Sequence, residues 1–151
     1  MELTSLQDIV NQFVDAYKTA ITSSGHNASG TLQNSVHGFV DFDGRYFSVN
    51  LNIAEHWKNL EYGRNPGKFP PIDKIREWIR IKPVLPRAIN GKLPTENQLA
   101  YLIGRKIATK GIQPTHLLEK TVENFALEKK IYNELEILIA KSFEKEVPKY
   151  N

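Results

Sequence analysis

The chain has 151 residues, of which 40% are hydrophobic and 25% charged, and a formal net charge of +3. That is the size and composition of one folded domain and excludes a disordered, low-hydrophobicity chain. It contains no cysteine, which removes disulfide frameworks, thiolate zinc centres and cysteine nucleophiles from consideration. The charge is segregated: residues 64–110 carry eleven Lys or Arg against three Asp or Glu, residues 1–63 three against seven, and residues 111–151 six against seven.

At the N-terminus Leu6, Ile9, Val10, Phe13, Tyr17, Ala20 and Ile21 recur at three- and four-residue steps, which predicts an amphipathic helix over 5–23. Thr4 and Gln7 have capping-box spacing, and Gly25 is the expected stop. No apolar run of signal-peptide or membrane-helix length precedes or interrupts this pattern, so we expect a chain that stays in the cytoplasm or leaves it inside an assembly, with no membrane partner. Residues 26–34 are small and polar and read as loop. Val36, Gly38, Val40 and Phe42, then Phe47, Val49 and Leu51, keep a two-residue period on either side of Asp43-Gly44. This predicts strands over 35–42 and 45–51 joined by a tight turn.

A short helix is expected over 53–62, ended by Gly63, followed by a proline-containing loop over 64–70. Pro71 suits the first turn of the next helix, 71–81, because its missing N–H has no intrahelical partner to lose. Ile72, Ile75, Trp78 and Ile79 form its apolar stripe, with Lys74, Arg76, Arg80 and Lys82 off it. Residues 82–94 hold Pro83, Pro86, Gly91 and Pro94 and form the longest irregular segment. Thr95 and Gln98 open another capping box, before Leu99, Leu102, Ile103 and Ile107 and a close at Lys110-Gly111, giving a helix over 95–110. Thr115 is the expected cap of a last helix over 115–146, broken at 124–126 and stopped by Pro148. The fold class that results is α+β in a single domain: a small antiparallel sheet, the hairpin plus further short strands, flanked by amphipathic helices, with a helical extension from about 122.

Catalytic motifs are missing. There is no glycine-rich phosphate loop, no Gly-x-Ser-x-Gly elbow and no His-Glu-x-x-His helix. His26, His37, His56 and His116 lack the spacing that sets two on one helix face, and the neighbours Glu55 and His56 diverge by about 100° on a helix. Glu61 reads as a charged residue at a helix end, with general base as the sharper alternative. We therefore expect no catalytic residue, no metal and no cofactor. Arg64, Lys68, Lys74, Arg76, Arg80, Lys82, Arg87, Lys92, Arg105, Lys106 and Lys110 have two readings: a basic face for phosphates or an acidic protein surface, or simply solvated helix faces. No helix-turn-helix, zinc-finger or RNP-type pattern accompanies them. Trp57 and Trp78 read as core residues. Phe69, within a proline loop, reads as an exposed anchor for a neighbouring subunit.

The run Ser29-Gly30-Thr31-Leu32-Gln33-Asn34-Ser35-Val36 resembles the opening of the tail-completion, or head–tail joining, proteins of tailed bacteriophages. Ile53-Ala54-Glu55-His56-Trp57-Lys58-Asn59-Leu60-Glu61-Tyr62-Gly63 is similar to their Tyr-Ala…Glu-Tyr-Gly element, with Ile53 where an aromatic is usual. Phe69-Pro70-Pro71 with Ile72, Ile75 and Trp78, then Leu99 to Gly111 and Pro114 to Leu118, resembles their helical insertion and closing segment. The likeness spans about residues 29 to 122. It implies a structural virion protein without enzymatic activity, a ring-forming subunit at the neck or tail top that is present in the host cytoplasm during assembly. Its partners would be copies of itself, portal or adaptor and tail proteins, and genomic DNA in the channel. The interface or DNA-facing residues would be Arg64, Lys68, Phe69, Lys74, Arg76, Arg80, Lys82, Arg87, Arg105 and Lys106. A small nucleic-acid-binding protein using residues 64–110 without sequence specificity is the alternative. A hydrolase drawing on His56, Glu61 and His116 is a third reading.

Overall fold

The computed structural model describes residues 3–25, 29–82 and 86–146; the expectations attached to His26, Pro83 and Pro148 lie outside them. The described residues form an α+β fold with the order α1 (Thr4–Ser23), α2 (Thr31–Ser35), β1 (His37–Phe42), β2 (Phe47–Asn52), α3 (Trp57–Tyr62), α4 (Ile72–Ile81), α5 (Glu96–Lys110), α6 (Leu117–Phe125) and α7 (Leu127–Glu146). None of these helices is long and apolar enough to cross a membrane.

α1 is the centre of the molecule. Leu6, Val10, Phe13, Val14, Tyr17 and Ile21 are buried along it, the stripe the helical spacing predicts. β1, α6 and α7 pack around it, and Leu32, Val36 and Leu60 complete the cluster. Full burial of an aliphatic or aromatic side chain contributes roughly 1.5–3 kcal/mol, so this stripe supplies most of the body's cohesion. The predicted Thr4/Gln7 capping box does not form, since α1 begins after Leu3 with no side-chain cap. Gln7 works elsewhere: its amide donates to Gly38 O at 2.9 Å and its carbonyl accepts from Val40 N at 3.0 Å. One side chain thereby satisfies the inner edge of β1 and fixes the hairpin on the helix. Gly38 is required at that crossing, because a Cβ there would lie 2.5 Å from Val10 and 2.9 Å from Val14.

β1 and β2 pair antiparallel from His37–Asn52 to Phe42–Phe47. The strands are shifted a residue or two from the expected 35–42 and 45–51, and the connection is a four-residue loop and not a two-residue turn. Asp43 explains the longer loop: its carboxylate accepts from Arg45 N and Tyr46 N, each at 2.8 Å, and these N–H groups hold its pKa below the ordinary carboxylate value. Further short strands do not occur among the described residues; Arg64–Ile112 and Ile89–Lys92 are isolated bridges. Part of the expected 26–34 loop is the helix α2. α3 starts at Trp57 and not at Ile53, after a turn in which Ala54 N donates to Ser35 Oγ at 2.8 Å.

α4 and α5 pair mainly with each other and stand on a neck made by the chain entering and leaving them. Arg64 N donates to Ile112 O at 2.9 Å, Ile112 N to Arg64 O at 2.8 Å, and Gly67 N to Ala108 O at 2.7 Å. Gly63 and Gly111 both have φ near +70° and press against backbone across the neck, a conformation that carries little penalty only for glycine. The Thr95/Gln98 capping box forms as expected. The expected break in the last helix falls at Ala126, which is left-handed at φ 53° and separates α6 from α7.

Candidate docking site

The charge of residues 64–110 is redistributed once folded. All three acids of the segment are paired: Asp73 with Arg76 at 2.8 Å, Glu77 with Lys74 at 3.2 Å, and Glu96 with Arg80 at 2.8 Å. The last is bidentate and joins α4 to α5, and it lowers the Glu96 pKa while raising that of Arg80. Arg76 also donates to Asn97 Oδ1 at 2.9 Å, while its buried Nε has no partner among the described residues. Arg76 and Arg80 thus join α4 to α5, while the Lys74–Glu77 pair lies within α4. As paired cations, Lys74, Arg76 and Arg80 carry less free charge than the unpaired ones.

Arg64 is likewise engaged, donating to Lys68 O at 2.8 Å. Lys82 reaches Gly25 O at the end of α1 and lies 5.8 Å from the centre of the Trp78 ring. Lys68, Arg87, Lys92, Arg105, Lys106 and Lys110 have no acidic partner within salt-bridge distance among the described residues. The free positive charge therefore sits on α5, on the loop before it and, at Lys68, on the loop before α4.

Phe69 leans on α5 but keeps part of its ring open to solvent. Its ring lies on Gly104 of α5, where a Cβ would come within 2.5 Å of it, and 5.7 Å from the ring of Tyr101. Ile75, on the same side of Gly104, is buried, whereas Phe69 itself stays 38% exposed. Trp57 packs on the main core as expected. Trp78 does not reach a core: it is 38% exposed, because the insertion has only one layer for it to face.

Among the described residues, large apolar side chains lie open on α7, where Tyr132 and Phe143 are exposed, and on two further surfaces. The first is the end of the hairpin, where Phe42 and Phe47 stack with ring centres 4.4 Å apart. Tyr46 beside them is 72% exposed. Gly38, Val40 and Phe42 share a face with Leu51, Val49 and Phe47 by the pairing register. α1 covers the Gly38–Leu51 end of that face and leaves the Phe42–Phe47 end uncovered. The second is a groove of about 930 Å³ in the insertion, lined by Ile89, Leu93, Tyr101 and Leu102 with Lys92 and Gln98. Asn90 and Gly91 have φ of 51° and 75° and form the turn that presents Ile89 and Lys92 to each other.

Glu61 is the residue whose role sequence reasoning missed. It is 3% exposed, and its carboxylate accepts Leu118 N at 2.7 Å and Glu119 N at 3.1 Å. It thus satisfies two free amides of the first turn of α6 with a charge suited to that end of the dipole. Thr115, the expected cap, instead donates its hydroxyl to Leu60 O at 2.6 Å, and left-handed His116 holds the N-cap position. Glu61, His116 and Glu119 place ligand-type atoms within 4.8 Å of one another; His56, at the N-cap of α3, is not among them. Compared with protein-family models, curated proteins and solved structures, the chain matches none.

Proposed function

We propose that this chain is a structural assembly subunit, a ring-forming component of the neck or tail top of a tailed phage that joins the head connector to the tail around the DNA channel. The observation that carries the reading is the role of its Glu-Tyr-Gly element. Glu61 anchors α6 and Gly63 lets the chain cross the neck, so this motif is the joint between the body and the helical insertion. The resemblance rests on the same residues in the same order.

Supporting it is the distribution of surface properties. A body with excess acid carries one open apolar end, and an insertion with unpaired cations carries another. Unlike faces on one chain suit heterologous contacts, which close into rings when the rotation between neighbours allows it. The test is negative-stain electron microscopy of the purified chain at rising concentration, with mass measured in parallel. Closed rings with a central channel are expected; a chain that stays monomeric at every concentration overturns the reading.

The unpaired cations favour a second reading, contact with a nucleic-acid backbone. It differs in its salt dependence, because release of condensed counterions makes such binding fall steeply with ionic strength.

A further inference from the structure

We propose that the hairpin end of one copy seats in the insertion groove of the next, so that Phe42, Tyr46 and Phe47 of one subunit meet Ile89, Leu93, Tyr101 and Leu102 of its neighbour. The proposal rests on the reading of the chain as a self-assembling subunit and names the surface through which it assembles.

Three observations select a second copy as the occupant. Both surfaces are uncovered within the chain: Tyr46 is 72% exposed and Leu93 69%. Neither is covered by another element among the described residues. The groove, at about 930 Å³, lies near the top of the range of roughly 300–1,000 Å³ that encloses compact ligands. More than one aromatic ring therefore fits. The rims are also opposite in charge. The hairpin end carries Asp41 and Asp43 against Arg45, and both carboxylates are exposed. The groove carries Lys92 in its lining. Arg105 and Lys106 follow Tyr101 and Leu102 by one helical turn on the same faces of α5, and neither has an acidic partner among the described residues. An acidic aromatic knob and a basic apolar groove on one chain form a head-to-tail pair. An aromatic side chain entering such a pocket is the usual energetic centre of an interface, and charged rims fix partner and register.

A head-to-tail contact has a signature that a symmetric contact lacks. Tyr46→Asp damages only the knob and Leu93→Asp only the groove. Both side chains are largely exposed, so neither change disturbs the core. Each variant alone should lose self-association by about tenfold or more. Mixed, the intact groove of the first should capture the intact knob of the second, giving a two-chain species that grows no further. Mass photometry and sedimentation of the two variants, alone and in equimolar mixture, read this directly. Self-association of either variant at the wild-type level overturns the knob-and-groove contact while leaving the assembly reading in place. Loss on Leu93→Asp alone means the groove takes some other segment or partner, and also overturns it. Wild-type chain that never associates removes both the contact and the assembly reading.

Discussion

The Glu61 carboxylate accepts the backbone N–H of Leu118 at 2.7 Å across 57 residues of sequence. It does so from a position 3% exposed. Replacing it by Ala leaves the amides of Leu118 and Glu119 without their acceptor. An unsatisfied buried polar group costs about 1–3 kcal/mol. The Glu61→Ala variant should therefore unfold at lower urea with an unchanged slope, and Glu61→Gln, which keeps an acceptor oxygen, should lose less. Equal loss in the two variants means that the hydrogen bonds are not what Glu61 contributes.

Tyr17 is fully buried on α1, and its hydroxyl has no partner among the described residues. Burial, and secondarily the Glu61 charge, push its pKa up to about 12 from 10.0. The folded state thus binds this proton more tightly than the unfolded one. Its contribution is fully present below pH 10 and is lost as pH rises through about 12. A two-unit shift corresponds to roughly 2.7 kcal/mol. Tyr17→Phe should be near neutral in stability at pH 7 and should remove the part of the alkaline loss that belongs to this residue. Denaturant midpoints at pH 8 to 11 give the comparison, and parallel pH profiles for both chains count against the assignment.

Gly63 and Gly104 each hold a close approach, but against different neighbours. A Cβ at Gly63 would meet the Ile112 carbonyl and, at 2.7 Å, the Pro114 nitrogen, and φ there is +69°. Backbone cannot turn aside, so Gly63→Ala should cost on the order of 3 kcal/mol from left-handed strain and overpacking together. At Gly104 the obstacle is the far end of the Phe69 ring, which can rotate, and Ala favours the helix. Gly104→Ala should cost no more than about 1–2 kcal/mol. Hydrogen exchange should show loosening confined to α4 and α5 in the second variant and spread across the neck in the first.

The residues that disclosed themselves in the sequence are those whose partners are local or periodic. Leu6 to Ile21 announces α1 by spacing, the Val36–Phe42 and Phe47–Leu51 alternation announces the hairpin, and Thr95 with Gln98 announces the start of α5. Glu61 and Phe69 did not, because what decides each is a distant partner: the first turn of α6 for one, Gly104 for the other. Gln7 misled for the same reason. Its spacing from Thr4 suggests a cap, yet β1 offers it two hydrogen bonds. Trp78 failed differently, since helical periodicity says which face is apolar but not whether a second layer exists to cover it. For the docking surface, the excess of cations and the local spacing of Asp73 with Arg76 and of Lys74 with Glu77 were legible, but the pairing of Arg80 with Glu96 needed the fold.

That pairing decides which cations test the nucleic-acid reading. Reversing Arg80 to Glu sets it against Glu96 and breaks the α4–α5 contact, so lost binding there has a structural cause. Arg105 and Lys106 are exposed on α5 and have no such partner, so Arg105→Glu with Lys106→Glu should leave the thermal midpoint nearly unchanged. If the chain contacts phosphates through this face, the double variant should bind duplex DNA more weakly and with a salt slope smaller by about two, since each phosphate contact contributes about 0.9 to it. If the face meets protein, the wild type should show little retention above roughly 150 mM salt, where the Debye length is about 8 Å. The double variant should then differ from it in self-association and not in DNA binding. Titration of both chains against duplex DNA between 50 and 200 mM salt separates the two cases, because only counterion release gives a linear fall of log affinity with log salt.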